Sequence, residues 1–260
     1  RLVSMATRNA TNRFERTIAR AQRQATAMEE LRKLCGIEGD FSRVECFDNS
    51  NIQGTTPVAS QVVFIDGEPD KKLYRTYNIK SVDGPDDYAS MAEVLTRRLK
   101  RGLEKVDLPD LIVVDGGRGQ LNVALSVADE LGLGKLPIIG LSKPRTERKR
   151  GEHDSVDKIV LPWKSEPVML PDHDPALNLL RRLRDESHRF AIQFHRKSRR
   201  KKNIHSSILD IPGVGPSRRK ALLRYFGSLT AIKRASVEEL AKVDGVGLAL
   251  AHEVFEGLKS

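Results

Sequence analysis

Residues 111–124, LIVVDGGRGQLNVA, constrain the fold more than any other stretch of the chain. Four apolar residues without polar alternation read as a strand covered on both faces, since a half-covered sheet gives every second position to water. Asp115 ends the run, Gly116, Gly117 and Gly119 make a tight turn, and a helical pattern continues from about 118 to 131. A doubly covered strand feeding a helix belongs to an α/β architecture. The turn also poses a chemical choice: Asp115 holds a metal, or the glycines cradle a nucleotide phosphate. A P-loop needs G-x-x-x-x-G-K-[ST] and a dinucleotide site G-x-G-x-x-G, and DGGRGQ is neither, so no nucleotide cofactor is expected. The glycines read as clearance that lets the backbone pass close to a substrate.

The flanking sequence extends this unit. Residues 5–35 have Phe14, Ile18, Ala21, Ala25, Met28 and Leu31 at helical steps before Gly36, which predicts a helix packed on the domain C-terminal to it. RVECFD, VASQVVFID and KKLYRTYNI are β-rich, the last two joined by a glycine-containing turn at 66–70, and read as an antiparallel meander. Pro85 opens a helix to about residue 100, and a further strand covers 136–141. Meander plus alternating strands and helices make a mixed sheet. The segment 143–174 reads as loops around a short strand at 157–161. A long helix then runs from Pro175 to about Lys197, with Leu177, Leu180, Leu183, Ser187, Ala191 and Phe194 on one stripe. Its end, RKSRRKK at 196–202, carries six of the chain's ten net positive charges and marks a domain boundary.

Beyond it the sequence repeats itself: IPGVG at 211–215 returns as VDGVG at 243–247, each before a helical segment, with Ser236 and Glu239 forming a capping box between them. The expected division is a leading helix at 1–40, an α/β domain at 41–200 and a small all-α domain at 201–260. A net charge of +10 points to a polyanion, nucleic acid above all, because cations that neutralise phosphates release counterions. Two cysteines, Cys35 and Cys46, are too few for a disulfide framework and suit a reducing cytoplasm. The opening RLVSMATRN has neither an initiator Met nor an apolar signal core, and no run reaches membrane length; the expectation is a soluble, cytoplasmic piece of a longer protein with no membrane partner.

Two acids stand at strand ends, Asp48 in ECFDNSNIQG and Asp115 in VVDGG. Side by side at one sheet edge, such carboxylates suit Mg²⁺ or Mn²⁺, and the cation would serve phosphodiester hydrolysis. By spacing alone a plain strand-terminal turn role is equally open to both. Asp86 or Asp87 in GPDDYASM supplies a third acid, although first-turn acids also favour a helix dipole with no further role. On the long helix His188 and His195 share a face, where a histidine moves protons near neutral pH or simply meets solvent. EHD at 152–154 and HDPA at 173–176 imitate metal ligands without matching partners. In the tail, Gly213, Gly215, Gly245 and Gly247 allow close backbone approach at helix starts that attract anions, with Arg218, Arg219 and Lys220 adding charge beside the first hairpin.

Together, RVECFDNSNIQG, GPDDYASM, LIVVDGGRGQLNVAL, LRDESHRFAIQFHRK and IPGVGPSRRKALLRYFGSLTAI resemble the C-terminal half of the UvrC family, the incision subunits of bacterial nucleotide excision repair. The resemblance covers nearly the whole chain. It implies an RNase H-like endonuclease domain followed by a tandem helix-hairpin-helix domain. It also implies a place in the SOS response and Mg²⁺- or Mn²⁺-dependent incision of the damaged strand on the 5′ side of a lesion, in a complex of UvrB with damaged duplex DNA. Carried over by position, Asp48 and Asp115 are the family's metal-serving aspartates, His188 its catalytic histidine and Asp87 its third acid, with Asp86 adjacent. Many family members have FDISH where this chain has FDNSN, which keeps Asp48 and alters the polar groups around it. The family's GIY-YIG nuclease and UvrB-binding segment have no counterpart in these residues, so at most one cut is expected. A non-catalytic DNA-binding fragment and an RNase H-like enzyme acting on RNA hybrids remain the rivals, the paired hairpins favouring duplex DNA.

Overall fold

The apolar run at 111–114 becomes an inner strand of a seven-stranded sheet. The structure is a computed structural model and describes residues 2–50, 58–79, 86–142, 157–209 and 211–259. In chain order the elements are α1 (Leu2–Leu34), β1 (Arg43–Ser50), β2 (Val58–Ile65), β3 (Glu68–Pro69), β4 (Arg75–Asn78), α2 (Asp87–Lys105), β5 (Leu111–Asp115), α3 (Arg118–Glu130), β6 (Ile138–Ser142), β7 (Lys158–Val160), α4 (Pro175–Leu209), α5 (Pro216–Phe226), α6 (Leu229–Arg234), α7 (Val237–Leu240) and α8 (Leu248–Lys259). Asn51, Pro85 and the charged segment 143–156 with its EHD lie outside the described residues.

The sheet order is β3-β2-β1-β5-β6-β7, with β4 also on β2. β1 and β2 are antiparallel, β1, β5 and β6 run parallel, and β7 returns antiparallel to β6. The meander and the alternating strands and helices thus share one mixed sheet. Side-chain alternation divides its faces. Val44, Cys46, Leu111 and Val113 pack with Leu31 of α1 and Leu177, Leu180 and Leu183 of α4. Phe47, Ile112 and Val114 face Leu95 and Leu99 of α2 and Leu121 and Ala124 of α3. Helices on both sides explain why 111–114 needs no polar position.

A buried ion pair fastens α2 to this sheet. Glu45, fully buried on β1, accepts from Arg98 Nε at 2.9 Å and Nη2 at 2.7 Å, and from Gln61 Nε2 at 2.8 Å. Arg98 also donates to the Asp107 carbonyl at 2.7 Å. Burial disfavours the guanidinium, but its bonds with Glu45 outweigh this and raise its pKa.

Two helices depart from expectation. The leading helix forms, yet its packed part starts at Ala27; Phe14 is 66% exposed and Ile18 42%. Helical periodicity reports which residues share a stripe, not whether the body extends far enough to cover it. α4 continues through the basic run to Leu209, since no proline or glycine interrupts it before Pro212.

The chain divides into two compact units, Arg1–Gln193 and Phe194–Ser260. The second has its own core, including Ile211, Leu222, Ile232, Leu240, Val246 and Val254. In it α7 begins with the expected capping box of Ser236 and Glu239. No helix of the described residues is long and apolar enough to cross a membrane.

Candidate functional site

The β1–β5 register pairs Cys46 with Val113 and Phe47 with Val114. Carried one residue further it sets Asp48 beside Asp115 at the carboxyl edge of two parallel strands, about 4.8 Å apart. Each acid shares a strand face with Cys46 and Val113, the face that α4 covers. α4 brings His188 to the pair: its Nδ1 lies 3.5 Å from Asp48 Oδ2, with the imidazole 58% exposed and the carboxylate 8%. His195 lies on the same helix, its side chain outside the described residues.

A polar contact that looks apolar in sequence fixes this helix. Ser187 falls on the leucine stripe, yet its Oγ meets Ser60 Oγ at 2.9 Å, and Ser60 pairs across the sheet with Asp48. Ser60 Oγ also donates to the Ser187 carbonyl at 3.2 Å. The buried seryl pair therefore sets Ser187, the residue before His188, against Ser60, the cross-strand neighbour of Asp48. Just beneath, burial pushes the Cys46 thiol well above its usual range, with the charges of Asp115 and Asp48 adding to the effect.

Arg184, one turn before His188, was not singled out by spacing. Its side chain is 10% exposed and paired with Asp157, which also accepts from Arg181 Nε at 2.6 Å. Burial lowers its pKa, but the Asp157 bond, with the charge of Asp115 contributing, raises it overall. Arg184 Nε is buried with no hydrogen-bond acceptor among the described residues. The positive charge of Arg184 thus acts on Asp115 from one turn before His188.

The GPDDYASM acids separate by role. Asp86 is the N-cap of α2, its Oδ1 accepting from the Tyr88 and Ala89 N–H groups at 3.0 Å each. Asp87 is the first helical residue, and Asn49 Nδ2, next to Asp48, donates to its carbonyl at 2.7 Å. Asp174 of HDPA likewise caps α4, accepting from the Ala176 and Leu177 N–H groups, which gives that motif a structural use.

The glycine turn is clearance mainly for the chain itself. A Cβ on Gly119 would stand 2.6 Å from Tyr88 Oη, one on Gly116 2.8 Å from Gln120, and one on Gly140 2.8 Å from the Gly116 carbonyl oxygen. Gly117, the N-cap of α3, differs: its φ is −88° and a Cβ there would meet nothing within 4 Å. The tail hairpins repeat this contrast. Gly213 and Gly245 need glycine for their φ of 85° and 76°. Gly215 and Gly247 have φ outside the left-handed region and face open space. Of the tail's basic residues, Lys220 is exposed and Arg219 half-buried, while Arg218 donates to the Gly245 and Gly213 carbonyls.

Among the described residues no three His, Cys, Asp or Glu side chains form a ready-made metal cluster. Asp48 and Asp115 instead match a hard divalent cation that takes one or two carboxylates and completes its shell with water and phosphate oxygens.

Residues 32–192 match the UvrC RNAse H endonuclease domain, and residues 206–260 the SAM-like helix-hairpin-helix tandem. The UvrABC system protein C of Syntrophotalea carbinolica is 46% identical over 258 residues, covering 98% of this chain and 42% of the relative. That of Gloeobacter violaceus is 45% identical over 265 residues, covering 98% and 40%. Among solved structures, the catalytic domain of human Endonuclease V aligns with 69% of this chain and 97% of its own at 14% identity, with a TM-score of 0.36. That score is too low for inference, and the assignment rests on the sequence matches. The chain spans about two-fifths of the length of these curated relatives, and by the match over 32–192 it belongs to the UvrC family.

Proposed function

We propose that this chain is the portion of a UvrC-type nuclease that hydrolyses a DNA phosphodiester on the 5′ side of a lesion, acting in the cytoplasm on a UvrB complex with damaged duplex DNA. The observation that carries this reading is the meeting of Asp48, Asp115 and His188, drawn from three separate elements, at one sheet edge. The relatives' name, UvrABC system protein C, supports the repair setting and the partner.

In this reading Asp48 and Asp115 hold Mg²⁺ or Mn²⁺. A divalent cation bound there supplies charge neutralisation at the phosphodiester and acidifies water. His188, largely exposed and 3.5 Å from Asp48, takes or gives a proton on the water that attacks phosphorus. Asp87, the first residue of α2 after the capping Asp86, serves as the third acid at the opening of the helix. The charge of Arg184 offsets part of that of Asp115. The domain at 41–200 cuts, with the helix at 1–40 packed on it through Met28 and Leu31, and the domain at 201–260 grips duplex DNA. Gly213, Gly215, Gly245 and Gly247 offer helix-start N–H groups to phosphates, Arg219 and Lys220 add charge, and Arg218 supports the hairpins. Gly215 and Gly247 favour this grip because no described residue requires glycine at either position.

Nicking of supercoiled plasmid and of a lesion-bearing duplex, with UvrB present and Mg²⁺ or Mn²⁺ against EDTA, tests the reading. Asp48→Asn is expected to abolish metal-dependent nicking, and His188→Ala to lower it by about 10²–10⁴-fold. Both are expected to keep DNA affinity. DNA binding without any metal-dependent nick by the wild type would leave a binding module in place of a nuclease.

A further inference from the structure

The 32-residue repeat of the tail extends from sequence to individual contacts. Val214 N–H donates to the Ile211 carbonyl at 3.1 Å, and Val246 N–H to the Val243 carbonyl at 3.0 Å. Arg219 N–H donates to the Gly215 carbonyl at 3.0 Å, and Ala251 N–H to the Gly247 carbonyl at 2.9 Å. Each hairpin's first glycine is also approached from the other half. A Cβ on Gly213 would lie 3.0 Å from Leu250 Cδ1, and one on Gly245 3.9 Å from Arg218 Cγ. Arg218 and Leu250 are themselves equivalent in the repeat, 32 residues apart. The apolar member only packs. The basic member reaches across, Nε donating to the Gly245 carbonyl at 2.9 Å and Nη1 to the Gly213 carbonyl at 2.8 Å.

A guanidinium is a rigid planar fork, and two of its donors here are committed to two turns 32 residues apart. We propose that Arg218 is a positioning residue that ties the two hairpins together and fixes the spacing of their open edges, Gly215 and Gly247, so that both meet the DNA backbone at once. Lys220, exposed on the same helix, is in contrast a direct phosphate contact. This inference rests on reading the hairpins as the DNA grip. Preorganised turns bind tighter than independent ones because less freedom is lost on contact. Carbonyl acceptors also make Arg218 poorly replaceable by lysine, whose single ammonium cannot reproduce a planar pair of donors.

The whole 260-residue chain, a labelled short duplex of mixed sequence and a KCl series separate a tie from a phosphate contact. A phosphate contact contributes about 0.9 to the slope of log affinity against log salt, whereas a tie contributes none. Arg218→Met is expected to weaken binding about tenfold with its slope unchanged, and Lys220→Met to flatten the slope by about 0.9. Arg218→Lys is expected to bind as weakly as the Met variant. In the free protein, hydrogen exchange at 213–215 and 245–247 should quicken in Arg218→Met while α5 and α8 amides stay protected. A flattened slope, an unchanged affinity or unchanged hairpin exchange in Arg218→Met overturns the proposal, as does wild-type affinity in Arg218→Lys. Should α5 and α8 lose protection in the Met variant, the lysine variant alone decides. Gly215→Ala with Gly247→Ala tests the underlying reading: wild-type affinity there removes the hairpin grip itself, whereas lost affinity beside a flattened Arg218→Met slope removes only the tie.

Discussion

Asp157 and Arg184 carry opposite charges where little water reaches either, with side chains 8% and 10% exposed. Burial pushes the Asp157 carboxylate up, but hydrogen bonds from Arg181 and Arg184 outweigh it and hold the acid below its ordinary value. The stabilisation is therefore complete above the unfolded value near 3.9 and is lost as pH falls through the lower folded value. Asp157→Asn takes from Arg184 its buried partner, leaving the exposed Asp185 carboxylate at 3.5 Å, and is expected to cost about 1–3 kcal/mol in urea unfolding at pH 7. The difference from wild type should begin to narrow below about pH 4, where the unfolded chain's Asp157 takes up its proton first, and close as pH falls through the lower folded value. Sequence gives little warning of this pair, because Arg184 is one of many arginines and its partner lies just after a segment without periodicity. Ser187 misleads in another way: a small residue on an apolar stripe passes for packing, and its bond to Ser60 joins positions 127 residues apart. Spacing puts Asp48 and Asp115 at strand ends and His188 on a helix face, positions that survive translation into space, but it leaves a plain turn role and solvent open to them, and only the family resemblance singles them out.

At the level of elements, the orientation of α2 depends on one buried ion pair. Arg98→Met removes one of the two arginines paired with a fully buried Glu45, Arg43 keeping its 2.7 Å contact, and is expected to cost about 1–3 kcal/mol. Replacing both, with Glu45→Leu and Arg98→Met, should recover much of that, since the desolvation penalty goes with the charges. Chemical denaturation of the three proteins checks the order. Strand and helix order could be read from periodicity, as the doubly covered run at 111–114 illustrates. Glu45 could not, because an acid between Val44 and Cys46 resembles an ordinary polar alternation until Arg98 is seen 53 residues away.

Across the whole molecule, the leading helix divides into a packed end and an exposed end. Ala27, Met28 and Leu31 are buried, whereas Met5, Phe14 and Ile18 are not. Deleting residues 1–19 should leave the urea midpoint nearly unchanged, while Leu31→Ala should cost about 2–5 kcal/mol. A large loss on truncation would mean that the exposed stripe contributes to folding. Here the sequence showed an amphipathic pattern and its register but not the reach of the body beneath it.

Gly117, Gly215 and Gly247 have a consequence for selection. Each stands just before a helix, has an ordinary backbone angle and adjoins empty space. Serine there would cap the helix and restrict the unfolded chain, for a gain of about 0.5–1 kcal/mol per position. A heat-challenge screen blind to DNA should therefore enrich serine at all three, whereas a screen for repair should purge it. The easiest gains in thermal tolerance are the ones this chain has left untaken.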